Sequence, residues 1–169
     1  MIQRLLKMFF PVFMIFTLTL FLLPSTFSQV SAKTGVTKHP TTVKATTYIT
    51  SFKKVQSKWV GKFDYIQWYT GMAADREFLK DCKCSKVMDR APDGYWIRNV
   101  NPKIRTFTIS NNTQFVLQTR NQYEIKWNEK VTRKQFITFL KQRNKDHQTP
   151  FHIVIKNGVV TKITEQYLP

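Results

Sequence analysis

Hydrophobic and polar positions follow different rhythms along the chain, and each rhythm predicts a different kind of segment. The first stretch has no period at all. Met8 to Leu23 is almost wholly apolar, with Arg4 and Lys7 ahead of it and the small residues Val30, Ser31 and Ala32 behind it. A positive start, a short greasy run and a small-residue site form the pattern of a cleaved export signal. A retained membrane anchor is the alternative, but the run is shorter than the roughly 20 residues that span a bilayer as a helix, and Pro11 interrupts it, which favours cleavage. Residues 1–32 are therefore predicted to be a signal peptide. Residues 33–46, with five Thr, Pro40 and several Lys but no apolar period, predict a flexible linker.

From residue 47 onward the dominant period is two. Tyr48 to Val55 and Trp59 to Tyr69 are rich in β-branched and aromatic residues and are separated by Gln56-Ser57-Lys58, which predicts two antiparallel strands. Trp59, Phe63, Tyr65 and Tyr69 share one parity, Lys62 and Asp64 the other. Met72 to Lys80 switches to helical spacing, and Asp81 to Pro92 reads as loop. Tyr95–Arg98, Arg105–Ile109 and Gln114–Thr119 are predicted strands joined by turns at Asn99–Pro102 and Ser110–Asn112, a β-meander. Thr132 and Gln135 form a capping box, with Val131 as the staple residue, so Arg133–Gln142 is predicted to be a helix whose apolar face is Phe136, Ile137, Phe139 and Leu140. Asn157-Gly158 permits the positive φ angles of a type I′ turn and sets a hairpin over Phe151–Tyr167. Within it Ile153 and Ile155 are placed on one face, Val154 and Ile163 on the other.

Charge changes this picture more than composition does. The whole chain carries +17, and loss of residues 1–32 leaves 137 residues with 25 Lys and Arg against 10 Asp and Glu, or +15. Such a surplus favours polyanions, and outside a cell the commonest is anionic wall polymer. The basic residues are scattered and interleaved with aromatics, which a single-strand nucleic-acid platform requires and a β-rich core requires equally.

Chemistry-bearing motifs are sparse. There is no G-x-S-x-G, H-E-x-x-H or P-loop pattern. Cys82 and Cys84 lie only two apart, a small ring for a disulfide. Free or loosely paired loop thiols are the default expectation, with a labile redox pair or an intermolecular bridge beside it. His39, His147 and His152 do not complete a zinc pattern, so neither metal nor cofactor is expected. A nuclease reading would draw on Glu124 as base, Arg120 as phosphate clamp and His152 as acid.

The stretch Asp93-Gly94-Tyr95-Trp96-Ile97-Arg98-Asn99-Val100-Asn101-Pro102-Lys103-Ile104-Arg105-Thr106, together with Trp68–Ala74 and the C-terminal Pro150–Pro169, resembles a group of small exported domains of Gram-positive bacteria. These share an "(N/D)GYYIRN.NP..RT" run and an ending like "PFxIxVxNGxVTxIxEQYLP". The resemblance implies a compartment and domain limits, and no activity. Met72 stands where the group tends to carry an acidic residue after the glycine, and the cysteine pair is outside its pattern.

These readings combine into one domain over residues 47–169, α+β and mostly β: a small antiparallel, barrel-like sheet of OB-like kind with two short helices. Tyr95, Arg98, Asn99 and Arg105 are the candidate ligand-binding residues, the guanidinium forks gripping phosphate or carboxylate. An architectural reading has Arg98 or Arg105 paired with Asp64 or Glu165 instead. The expected function is a secreted or wall-associated basic binding protein contacting anionic envelope polymers. The alternative is a small secreted nuclease or a toxin or inhibitor.

Overall fold

The β-branched and aromatic runs become seven strands. The computed structural model describes residues 40–121 and 123–169, so the expected leader and residues 33–39 of the expected linker lie outside the described residues. Strand β1 (Thr42–Val55) turns through Gln56, which has a positive φ, into β2 (Lys58–Thr70), with Val55 opposite Lys58. Helix α1 (Gly71–Cys82), β3 (Tyr95–Arg98), β4 (Ile104–Leu117), β5 (Glu129–Val131), α2 (Arg133–Arg143), β6 (Pro150–Lys156) and β7 (Val159–Glu165) follow.

Five of the strands close on themselves. β1 lies between β2 and β6, β6 pairs with β7, β7 pairs in parallel with β4, and β4 returns antiparallel to β2. A five-stranded ring with one parallel pair and a helix between its third and fourth strands has the connectivity of an OB-type barrel. Its interior is filled by Ile49, Phe63, Phe115, Leu117, Phe151, Ile153, Val160 and Ile163. From α2, Phe136 enters the same core, its ring 4.6 Å from Phe115 and edge-on to Phe52 and Phe151. The capping box forms as expected: Gln135 N–H donates to Thr132 Oγ1, and Thr132 N–H to Gln135 Oε1.

Several expectations are corrected. The linker does not extend to Thr46. Thr42 to Thr46 already pair with Lys156 to His152, because a barrel must cover both edges of β6. The middle of the chain is not a meander, since β3 and β4 do not pair with each other. Both run antiparallel to β2, β3 against Gln67–Thr70 and β4 against Trp59–Asp64. The expected turn at Ser110–Asn112 is an excursion within one long β4. Thr113 Oγ1 lies 2.8 Å from Ser110 O and 2.9 Å from Val160 O, and Arg133 donates to the carbonyls of Ser110 and Asn111.

Ile163 sits on the same face as its partner Ile153, not opposite it. Thr161 is a bulge, because Ile155 pairs with Val160 but Val154 with Lys162. An extra residue reverses the parity after it, so Val160 and Ile163 both point inward three residues apart. Thr50 does the same for Ile49 and Phe52 on β1.

Outside the barrel, α1 and β3 form a small second core of Ala74, Phe78 and Ala91, flanked by Tyr69, Leu79, Cys84 and Trp96. Helix α1 runs two residues into the expected loop and ends at Lys83, whose φ of 51° and N–H bond to Leu79 O make an αL cap.

Candidate functional site

The four candidate ligand-binding residues are each tied to a different protein group. Arg98, on β3, points back at α1. Its Nε and Nη2 donate to the two oxygens of Asp81 at 2.9 and 2.7 Å, and Nη1 donates to Glu77 Oε2 at 2.6 Å. Lys80 and Arg76 also donate to Glu77. These donors, Lys80 foremost, hold the Glu77 carboxyl down at about 2, against the opposing effect of its own burial. Asp81 is held below its ordinary value, first by Arg98 and then by the Trp96 indole N–H, and Asp81 in turn raises Arg98. The Arg98 fork is therefore filled by carboxylates of its own chain. They are Glu77 and Asp81, not the Asp64 or Glu165 that the architectural reading named.

The other three follow suit. Tyr95 stacks on Trp68 at 4.8 Å, Asn99 Nδ2 donates to Asp64 Oδ2 at 2.6 Å, and Arg105 covers the Tyr65 ring at 4.1 Å while donating to Lys103 O. Glu165 is buried and takes no arginine. Its Oε2 accepts the N–H groups of Gln118 and Thr119, and its Oε1 accepts the Thr119 hydroxyl. Five surface clefts among the described residues are lined by other side chains. The resembling stretch thus fastens α1 and β3 onto β2.

Charge is divided unevenly between the two parts of the fold. Residues 71–98 hold six basic and five acidic side chains, whereas the rest of the described chain holds seventeen basic and five acidic. Among those five acids, Asp64 is engaged by Asn99, Glu165 is buried, and Glu129 is gripped by Arg120 at 2.9 and 2.7 Å. The barrel and α2 therefore carry nearly the whole positive field.

One concavity on this part combines charge with exposed aromatic surface. A cleft of about 520 Å³ between α2 and the end of β4 is lined by Arg120, Lys134, Thr138, Phe139 and Gln142. Lys134, Thr138 and Gln142 recur every four residues, which places them on one helix face. Across Arg120 and Gln142 the cleft adjoins a second of about 380 Å³, lined also by Asn121, Tyr123 and Arg143.

Tyr123 is 87% exposed; Trp127, 62% exposed, lies edge-on to Tyr167 at 5.3 Å. The loop that carries them is anchored at Gln118, whose carbonyl accepts from Lys126 N–H and whose side-chain oxygen accepts from Asn128 N–H. No family model, curated protein or solved structure matches this chain.

Two of the three residues of the nuclease reading, His152 and Arg120, are otherwise occupied. The Gln166 amide donates through Nε2 to Tyr167 O, which leaves its oxygen to accept from His152 Nε2 at 2.7 Å, and His152 Nδ1 meets the Thr46 hydroxyl at 3.1 Å. Both ring nitrogens are thus satisfied, one as donor and one as acceptor. Arg120 is held by Glu129, and Glu124 lies exposed in the loop that precedes β5. Among the described residues no three His, Cys, Asp or Glu side chains gather as a metal site would need. Cys82 and Cys84 are joined as a disulfide, with their Cα atoms 5.1 Å apart, where unpaired or loosely paired thiols were the default expectation.

Sequence reasoning passed over the α2 cleft because it assigned aromatics to the core. The signal available was that Tyr123 and Trp127 lie in a stretch without alternation, among Asn, Lys and Glu.

Proposed function

We propose that this protein is an extracellular or wall-associated module that binds anionic polymers of the cell envelope through the cleft between α2 and the 118–128 loop. The partition of charge carries the reading. Carboxylates are concentrated and internally neutralised around α1, while the barrel and α2 present basic side chains with few acids to offset them. Lys134 supplies a mobile point charge, Arg120 keeps part of its fork at the cleft wall, and Tyr123 offers a flat apolar face to the sugar or polyol units between anionic groups. Each exposed contact is weak by itself. Many repeated along a polymer give an avidity that falls steeply with salt.

The test is elution from immobilised phosphate-rich wall polymer. Lys134→Ala combined with Arg143→Ala, one from each of the two adjoining clefts, lowers the salt needed for elution well below that of a charge-matched control, Lys44→Ala with Lys156→Ala. Equal elution of the two double variants sinks the placement of the site. Failure of the native protein to bind at low salt sinks the function itself.

A further inference from the structure

The Cys82–Cys84 bond is poorly suited to holding the fold together. A cross-link stabilises by restricting the unfolded chain, and that effect shrinks with the length of the loop it closes. Only Lys83 lies between these cysteines, and the end of α1 is already capped by Lys83 N–H on Leu79 O. The loop beyond is fastened by other groups: Val87 and Met88 N–H both donate to Cys84 O, and Ala91 N–H donates to Asp75 Oδ1. The backbone on both sides is thus held whether or not the sulfurs are joined.

The two sulfurs have unlike surroundings. Cys82 belongs to an exposed residue, and its Sγ receives the Cys84 backbone N–H at 3.2 Å. Cys84 is half-buried against the Ala74, Phe78 and Ala91 cluster. Lys83 and Lys86 are exposed beside the pair and take part in no salt bridge among the described residues. The neighbouring acids are neutralised, Asp81 by Arg98 and Trp96, Glu77 by Lys80, Arg76 and Arg98, and Asp89 by Arg90. Lys83 and Lys86 therefore offer an approaching thiolate two cations in an otherwise near-neutral part of the fold. Val87, 82% exposed, adds an apolar contact for a polypeptide.

We propose that Cys82–Cys84 is a redox-active disulfide that oxidises a pair of cysteines in another polypeptide. A substrate thiolate attacks Cys82 Sγ and forms a new S–S bond. The old bond breaks with its electron pair on Cys84, which takes a proton from water. As a half-buried neutral thiol Cys84 attacks back slowly, because the thiolate is the nucleophile and apolar surroundings disfavour it. The second substrate thiolate then attacks the substrate-side sulfur of the mixed disulfide, releasing Cys82 as a thiolate stabilised by the Cys84 N–H. The substrate dithiol becomes a disulfide, and the protein disulfide becomes a dithiol. This proposal does not rest on the polymer-binding reading.

The test incubates oxidised protein, without denaturant, with a reduced peptide holding two cysteines, followed by acid quench, thiol labelling and intact mass. The expected result is loss of the Cys82–Cys84 bond matched one for one by peptide oxidation, with an unchanged far-ultraviolet dichroism spectrum. A single-cysteine peptide is expected to remain attached, mapped to Cys82. The proposal is overturned if the aerobically purified protein carries two free thiols, if the bond opens only in denaturant, if reduction unfolds the protein, or if adducts form on Cys84 as often as on Cys82.

Discussion

Glu165 joins the two ends of the barrel seam, and its replacement gives a sharp test of how the seam is held. The carboxylate is buried and spans 46 and 47 residues of sequence to reach the backbone where β4 ends. Glu165→Ala removes the acceptor for two N–H groups, Gln118 at 2.6 Å and Thr119 at 3.0 Å, and for the Thr119 hydroxyl. A buried donor left without a partner costs about 1–3 kcal/mol, and the hydroxyl, which can rotate, costs less. The Ala variant is therefore expected to lose about 3–5 kcal/mol, a large share of the ~5–15 kcal/mol typical of a domain.

Glu165→Gln keeps one oxygen for the two N–H groups and forfeits only the charge assistance, about 1–2 kcal/mol. Urea unfolding followed by tryptophan fluorescence measures both variants, with the midpoint lowered and the slope unchanged. For a domain of this size the Ala variant should also melt roughly 10–15 °C lower. An Ala variant within about 1 kcal/mol of the native protein, or a Gln variant as damaged as Ala, refutes the seam argument.

Three other outcomes follow from the same structure. Glu77 titrates at about 2 instead of its ordinary 4.5, so its contribution to stability is complete above pH 4.5 and is lost as pH falls through 2. Arg98→Met weakens that window, and acid unfolding curves of native and variant protein that superimpose would contradict the assignment. Gly61→Ala places a Cβ 2.6 Å from the Phe63 ring and 3.2 Å from Ile109 inside the barrel. Overpacking there costs about 1–3 kcal/mol in urea unfolding, and a neutral result would show an interior looser than described. Gly158→Val puts a β-branched side chain at a φ of 79° in the β6–β7 turn and destabilises by at least about 1 kcal/mol, whereas an unchanged midpoint would mean that the turn adopts another form.

Features governed by a few adjacent residues were legible in the sequence. The Asn157-Gly158 turn, the Thr132–Gln135 capping box and the four residues of β3 each depend on local backbone chemistry, and each lies where the pattern put it. What eluded the pattern depends on distant partners. Bulges at Thr50 and Thr161 reverse parity, so Ile163 was assigned to the wrong face. Ser110 to Asn112 has the composition of a turn, but pairing with Val160 and Lys162 on either side of it keeps β4 continuous. For the candidate site, Arg98 was singled out as a ligand grip, yet its partners Glu77 and Asp81 lie 21 and 17 residues away on a helix whose rotation the sequence does not reveal. Tyr123 and Trp127 went unnoticed because aromatic residues in a β-rich chain are usually buried.

The parallel alignment of β7 beside β4 also dictates an order of assembly. Closure of the ring requires Val159–Glu165 to slot between β6 and β4, so the facing edges of those two strands stay open until β7 is in place. Folding dominated by such remote pairings takes on the order of milliseconds to seconds. Whatever delays β7 therefore delays the whole barrel, because no other strand can bridge that gap.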